Sequence, residues 1–219
     1  MKLFLDTANF DEIAEINAWG VLDGVTTNPT LAAKEGQRFE DLIARICAEV
    51  DGPVSAEVVA TDTDGMLAEA SELAKIADNV VIKLPLTPAG LGACRQLTDR
   101  GVKTNVTLCF SATQAILAAS AGATYLSPFA GRLDDIASDG IALIAEIAEI
   151  YRVQGYDTEL LAASLRSPQH VAQAAAVGAD VATLPTKVFH QMVKHPLTDA
   201  GLERFLADWR DYQAALDQA

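Results

Sequence analysis

The sequence is short of the residues that several common chemistries require. It has three cysteines in 219 residues, Cys47, Cys94 and Cys109, widely spaced and set in apolar segments. That number and spacing exclude a disulfide framework and suit reduced, buried thiols in a cytoplasmic protein. Three histidines, His170, His190 and His195, make no ligand pair at helical spacing and no Cys–His cluster; no metal site is expected, and the three read as helix-surface residues. There is no GxGxxG run and no P-loop, so nucleotide binding has no support and no cofactor is expected. Basic residues are scarce, 16 Lys and Arg against 30 Asp and Glu, for a net charge of −14. A surface of that sign repels polyphosphate backbones and anionic bilayers, so neither nucleic acid nor membrane is an expected partner. A small anionic ligand stays open, because a few converging arginines act at contact range while distant charges are screened. The opening MKLFLDTANF reaches Asp6 before any long apolar core forms, which fits neither a secretory leader nor a membrane span. No linker or low-complexity stretch divides the chain, so 1–219 reads as one domain.

What the sequence does contain is regular alternation. Short runs rich in β-branched and apolar residues begin at Lys2 (KLFLDT), Gly24 (GVTTN), Val54 (VSAEVV), Val80 (VVIKLP), Lys103 (KTNVTLC), Thr124 (TYLSPF), Glu159 (ELLAAS) and Asp180 (DVATLP). Between them the apolar residues recur at three and four. Met66, Leu67, Ala70, Leu73, Ala74 and Ala77 form one stripe opposed by Glu69, Glu72 and Lys75, and Ile141, Ile144, Ile147, Ile150 and Tyr151 form another; both predict amphipathic helices. Gly20, Gly101, Gly122, Gly155 and Gly178 each follow a helical stretch and precede a strand, where a left-handed cap is needed. Parallel strands need crossovers, and eight equal βα units close most economically on themselves. The expected fold is therefore α/β, a single (β/α)8 TIM barrel. Residues 198–217 add a C-terminal helix whose stripe of Leu202, Phe205, Leu206, Trp209, Tyr212 and Leu216 predicts burial, on this barrel or on a neighbouring subunit.

In such a barrel the reactive groups sit at the carboxyl ends of strands. Asp6, Asn28, Glu57, Lys83, Asn105, Thr107, Ser127 and Ser164 all lie in or just after the strand runs. Lys83 is the sharpest of them, a lysine within VVIKLP. An ordinary strand-end lysine snorkels to solvent or pairs with a carboxylate. In an apolar strand, burial favours the neutral amine, the form that adds to a carbonyl. Asp6 and Glu57 are candidates for moving protons during imine formation and carbon–carbon cleavage, although each taken alone also reads as a loop cap or a salt-bridge partner. Arg132 and Arg166 follow the sixth and seventh runs closely enough to point into one mouth, where guanidinium forks suit phosphate; alone, either is also an ordinary surface arginine. Asn28 before Pro29, Asn105 and Ser127 before Pro128 are equally readable as turn or backbone-bonding residues.

At these residues the sequence resembles the transaldolase family, in particular its short-chain branch, which also holds fructose-6-phosphate aldolases. The resemblance spans essentially the whole chain and rests on FLDTAN (Phe4 to Asn9), GVTTNPTL (Gly24 to Leu31), SAEV (Ser55 to Val58), IKLP (Ile82 to Pro85), TNVTLCFS (Thr104 to Ser111), SPFAGR (Ser127 to Arg132) and ASLRS (Ala163 to Ser167). It implies that Lys83 forms the imine with a ketose phosphate, that Asp6 handles the sugar hydroxyl proton, and that Glu57 works with Thr107 through a water. It further implies that Asn28, Asn105 and Ser127 bind the dihydroxyacetone unit and that Arg132, Ser164 and Arg166 hold phosphate. The fructose-6-phosphate aldolases look to have glutamine and tyrosine where this chain has Glu57 and Phe129, which favours transfer of dihydroxyacetone to an aldose phosphate over an aldolase using free dihydroxyacetone. A noncatalytic sugar-phosphate-binding barrel is the third alternative. The short-chain relatives also imply a homo-oligomer, a pentamer or decamer.

Overall fold

The computed structural model describes residues 1–217; the last two positions of the expected domain, Gln218 and Ala219, lie outside the described residues. Eight parallel strands close on themselves in sequence order: β1 (Lys2–Asp6), β2 (Gly24–Thr26), β3 (Val54–Glu57), β4 (Val80–Pro85), β5 (Thr104–Cys109), β6 (Tyr125–Pro128), β7 (Glu159–Ala162) and β8 (Val181–Leu184). The β8 strand returns to β1 with Leu3 opposite Ala182 and Leu5 opposite Leu184, which closes the ring. All eight strands fall within the runs that the sequence predicts, and the fold is the expected TIM barrel.

Around the strands lie α1 (Phe10–Asn17), α2 (Pro29–Ala32), α3 (Phe39–Glu49), α4 (Thr63–Leu73), α5 (Pro88–Asp99), α6 (Ala112–Ser120), α7 (Ala130–Asp134), α8 (Gly140–Gln154), α9 (Pro168–Ala176), α10 (Thr186–Val193) and α11 (Pro196–Leu216). Their starts follow local chemistry. Asn9, Asp62, Thr87, Ser111, Asp139 and Ser167 each accept a backbone N–H of the first turn, which satisfies a donor the helix cannot satisfy itself. Gly20, Gly101, Gly122, Gly155 and Gly178 all have positive φ, as their places before the strands required. The α4 segment is shorter than its stripe: regular helix stops at Leu73, and Lys75 and Ile76 donate to carbonyls three residues back, so Ala74 to Ile76 finish the segment as a tighter turn and Ala77 lies beyond it.

Two apolar regions hold the barrel. The larger lies between strands and helices. The smaller plugs the barrel interior with Phe4, Val81, Tyr125, Leu161, Ala163 and Val181, with the Phe4 and Tyr125 rings edge to face at 6.0 Å. Gly24 sits beside this plug because a Cβ there would lie 2.7 Å from the Pro53 carbonyl oxygen and 2.8 Å from the Phe4 ring. Side chains alternate along a strand, so the residue two positions beyond each plug residue also points inward, one layer nearer the mouth. From Phe4, Val81, Tyr125 and Val181 those positions are Asp6, Lys83, Ser127 and Thr183, and from Leu161 it is Ala163. The bottom of the barrel is thus sealed with apolar groups and its upper layer is mostly polar, with Ala163 the apolar member.

The terminal helix departs from one of its two expected placements. None of its residues is buried, and Leu197, Leu202, Phe205, Leu206, Trp209 and Tyr212 are all exposed. It does not cover its own barrel; its stripe faces away from the core that would have received it.

Candidate active site

The centre of the upper layer is Lys83, 5 % exposed on β4. The register sets Glu57 of β3 beside it, and the lysine Nζ lies 2.9 Å from Glu57 Oε2 and donates to the Thr27 carbonyl at 3.0 Å. The strand sequence shows an amine in an apolar run, and the neighbouring strand adds the Glu57 carboxylate that was a candidate salt-bridge partner, a contact that periodicity within β4 does not reveal.

Asp6 ends β1 on another side of the same space. Its Oδ1 accepts from the Thr26 hydroxyl at 2.8 Å, and the Thr26 and Thr183 hydroxyls are 2.6 Å apart. With Asp6 ionised, the single Thr26 proton goes to the carboxylate, so Thr183 donates to Thr26. This chain of hydroxyls engages Oδ1 and leaves Oδ2 outside it. Burial pushes the Asp6 carboxyl above its ordinary value; the Lys83 charge and the Thr26 hydrogen bond pull in the opposite direction. The sequence reading overlooked Thr26 and Thr183, yet the inward alternation from Gly24 and Val181 points to both.

The wall formed by β5 and β6 is a second hydrogen-bonded chain. Ser127 Oγ donates to Asn105 Oδ1 at 2.7 Å, and Asn105 Nδ2 donates to Ser55 Oγ at 3.1 Å, with all three residues buried. Ser55 also escaped the sequence reading. Thr107 is fully buried, and its Oγ1 has no hydrogen-bond partner among the described residues. Asn28 does two things at once: its Oδ1 caps α2 by accepting from Leu31 N at 3.0 Å, and the residue lines the central cavity, where its amide nitrogen can serve a ligand.

That cavity, about 140 Å³, is lined by Asp6, Asn28, Lys83, Ser127, Phe129, Arg132 and Ser164 from the expected set, together with Thr26, Ala163 and Thr183. Phe129 packs edge to face against Phe110 at 5.9 Å. Ser164 is left-handed at φ 58°, and its carbonyl accepts from Gly131 N at 3.1 Å, knitting the loops after β6 and β7 together. Arg132 reaches the rim and makes no ion pair among the described residues. Arg166 differs from expectation: it is not part of the cavity lining, and its guanidinium is engaged bidentately by Asp135. A larger groove of about 500 Å³ lies against Pro29, Phe39, Val59 and Leu73 and meets the site only through Glu57. The chemistry belongs to the smaller cavity, which holds the amine, the Asp6 carboxylate and the arginine.

The histidines lie away from this centre. His170 is partly buried on α9 with Nε2 3.6 Å from Asp134, His190 packs edge to face on Trp19, and His195 caps α11. Cys47, Cys94 and Cys109 are free thiols, and burial pushes all three above the usual thiol range. No group of three His, Cys, Asp or Glu converges among the described residues. The arrangement offers an amine nucleophile, two carboxylates able to exchange protons, an array of neutral donors and acceptors for sugar hydroxyls, and a cation at the rim.

Comparison with known proteins gives a consistent result. The family model described as Transaldolase/Fructose-6-phosphate aldolase matches residues 3–218. A protein of Desulforapulum autotrophicum described as probable transaldolase is 60% identical over 210 residues, 96% of this chain and 98% of its own length. Proteins with the same description from Heliobacterium modesticaldum (59% over 209 residues, 95% of this chain and 97% of theirs) and Hyphomonas neptunium (62% over 208 residues, 95% and 96%) are similarly close. Among solved structures, thiamine phosphate pyrophosphorylase from Pyrococcus furiosus superposes with a TM-score of 0.63 at 12% identity, covering 87% of this chain and 93% of that one; this likeness is one of fold alone.

Proposed function

Because the chain belongs to the transaldolase/fructose-6-phosphate aldolase family, we propose that it is a transaldolase, moving a dihydroxyacetone unit from fructose 6-phosphate or sedoheptulose 7-phosphate to erythrose 4-phosphate or glyceraldehyde 3-phosphate through an imine on Lys83. The observation that carries the reading is the buried Lys83 amine, 2.9 Å from Glu57 and sharing a cavity with Asp6. Glu57 is placed to take a proton from the amine, which then adds to the ketose C2 carbonyl to give a carbinolamine. Loss of water gives the imine, with Glu57 and the Thr107 hydroxyl holding the water that carries protons. Asp6 Oδ2 takes the C4 hydroxyl proton as the C3–C4 bond breaks; the aldose phosphate leaves, and the electron pair stays in a three-carbon enamine on Lys83. The enamine adds to the acceptor aldehyde, Asp6 returns its proton, and water hydrolyses the imine. Asn28, Asn105 and Ser127 orient the dihydroxyacetone hydroxyls, and Phe129 walls the pocket. Arg132, Ser164 and Arg166 hold the phosphate. The scheme calls for no metal and no cofactor.

The test is reduction with borohydride in the presence of fructose 6-phosphate. Peptide mass spectrometry should place a three- or six-carbon adduct on Lys83, and Lys83→Ala should lose both adduct and turnover; a label on another residue would overturn the assignment. Glu57 and Phe129 favour transfer over the aldolase alternative, since a carboxylate exchanges protons with water and an amide does not. Turnover that needs an aldose phosphate acceptor supports this; equal turnover without one supports an aldolase of free dihydroxyacetone. A noncatalytic sugar-phosphate barrel would bind ligand equally well after Lys83→Ala.

The exposed stripe of α11 supports a homo-oligomer in which this face is buried on another copy; the count, a pentamer or decamer, is what the resemblance to the short-chain relatives implies. Light scattering of the full chain and of a chain ending at His195 tests it: the same subunit count in both would remove the role of α11. No helix among the described residues is long and apolar enough to cross a membrane; the free thiols support a cytoplasmic location, and the excess of acidic residues supports sugar phosphates rather than nucleic acid as partners.

A further inference from the structure

The loop after β6 carries Arg132 and, shortly after it, two adjacent aspartates that do different work. Asp134 is committed to the fold: its Oδ1 accepts from Gly140 N at 3.1 Å, at the start of α8, and its Oδ2 lies 3.6 Å from His170 Nε2. Asp135 meets Arg166, which reaches over from the loop after β7 and sets both terminal nitrogens against both carboxylate oxygens. The stem of that arginine has little freedom. A Cβ at Gly131 would lie 2.6 Å from Arg166 Nε and 2.3 Å from the Ser164 carbonyl oxygen, so the side chain lies flat along the backbone of α7. Only the guanidinium end is left to choose a partner. The pair is open to water, with about half of each side chain exposed, 47% for Arg166 and 49% for Asp135. Both arginines act on the same carboxylate: Arg166, then more weakly Arg132, hold Asp135 below the ordinary carboxylate range.

We propose that Asp135 is a built-in counter-ion for Arg166 and that a substrate phosphate binds by taking its place. The proposal rests on the reading of Arg132 and Arg166 as the phosphate-holding groups. A phosphate monoester near neutral pH carries nearly two charges and three acceptor oxygens, enough to engage both guanidiniums, whereas the carboxylate carries one charge and fills one fork. A doubly charged group therefore displaces Asp135, and an unphosphorylated sugar does not. Asp135 sets a threshold that only phosphorylated ligands cross, which makes it a specificity-determining residue that acts through Arg166. The exchange is reversible because an exposed ion pair is weak.

The test is titration calorimetry of inorganic phosphate into the full-length protein, with steady-state kinetics alongside. Asp135→Asn removes the competitor and should tighten phosphate binding by up to about fivefold, the equivalent of an exposed ion pair. The KM for fructose 6-phosphate should fall in step, whereas binding of unphosphorylated fructose, titrated in the same way, should not tighten. Asp135→Glu should restore the competition. Asp134→Asn removes the same charge one residue away while keeping an oxygen for Gly140 N, and should give much less gain. Unchanged or weaker phosphate binding in Asp135→Asn would show that the carboxylate holds Arg166 in its binding pose, and the proposal falls. An equal gain in Asp134→Asn would reduce the effect to net charge and would overturn the proposal as well. Arg166→Ala separates the two levels: if it leaves phosphate affinity intact, Arg166 is no phosphate ligand and the underlying reading fails, whereas weakened binding there without a gain in Asp135→Asn removes the counter-ion alone.

Discussion

Replacing Thr107 by valine changes one hydroxyl for one methyl at nearly constant volume, and the structure predicts opposite effects on stability and activity. Thr107 is fully buried on β5, and its Oγ1 has no hydrogen-bond partner among the described residues. A buried hydroxyl that lacks a partner costs the fold about 1–3 kcal/mol, and one satisfied only by a bound water costs less. Valine removes that cost and suits a strand, so Thr107→Val should be as stable as the parent or more stable, by up to about 2 kcal/mol. For a chain of this size each kcal/mol moves Tm by about 2–4 °C, which differential scanning calorimetry resolves easily. Activity should move the other way. If the hydroxyl helps hold the water that shuttles protons during imine formation and hydrolysis, kcat should fall by about 10²- to 10⁴-fold, the usual contribution of general acid–base catalysis. A coupled assay for glyceraldehyde 3-phosphate release measures the loss. The rate of borohydride trapping should slow with it, because imine formation is the step affected. A drop in Tm of more than about 2 °C would mean that the hydroxyl already makes a structural bond, and near-parental kcat would remove Thr107 from the mechanism.

Two other perturbations probe neighbouring layers. Burial holds the Asp6 carboxyl above its ordinary 3.8, so the folded state binds this proton more tightly than the unfolded chain; the resulting stabilisation is complete below pH 3.8 and is lost as pH rises through the folded-state value. Ionised Asp6 therefore costs stability at neutral pH, and Asp6→Asn should raise Tm more at pH 7 than at pH 4 while cutting kcat/KM by about 10²-fold or more; a Tm difference of the same size at both pH values would refute the linkage. Gly24→Ala drives a Cβ to 2.7 Å from the Pro53 carbonyl oxygen and 2.8 Å from the Phe4 ring. It should lower stability by about 1–3 kcal/mol in urea denaturation, and an unchanged midpoint would show that the barrel plug yields more readily than its packing indicates.

Much of this protein was legible before any coordinates. The β-branched runs, the helical stripes between them and the glycines that end helices are local signals, because burial of one face leaves a period of two or 3.6 in the chain. Lys83 stood out for the same reason, as a charge in VVIKLP where alternation leaves no polar face. The shortened α4 and the placement of α11 were less accessible: a stripe says that a face wants burial, and it does not say on what. That is why a helix with no buried residue carries as clear a stripe as α8.

The polar layer above the plug divides along the same line. Sequence alone determined that Asp6, Lys83 and Ser127 lie late in strand runs, at the ends that form the mouth of a barrel. Only the closed barrel decided which groups meet: Glu57 with Lys83, Thr26 and Thr183 with Asp6, Ser55 and Ser127 with Asn105, and Asp135 with Arg166. Each of these pairs joins different strands or the loops that follow them. The stagger with which eight strands close sets their heights relative to one another, and no period within a single strand records it.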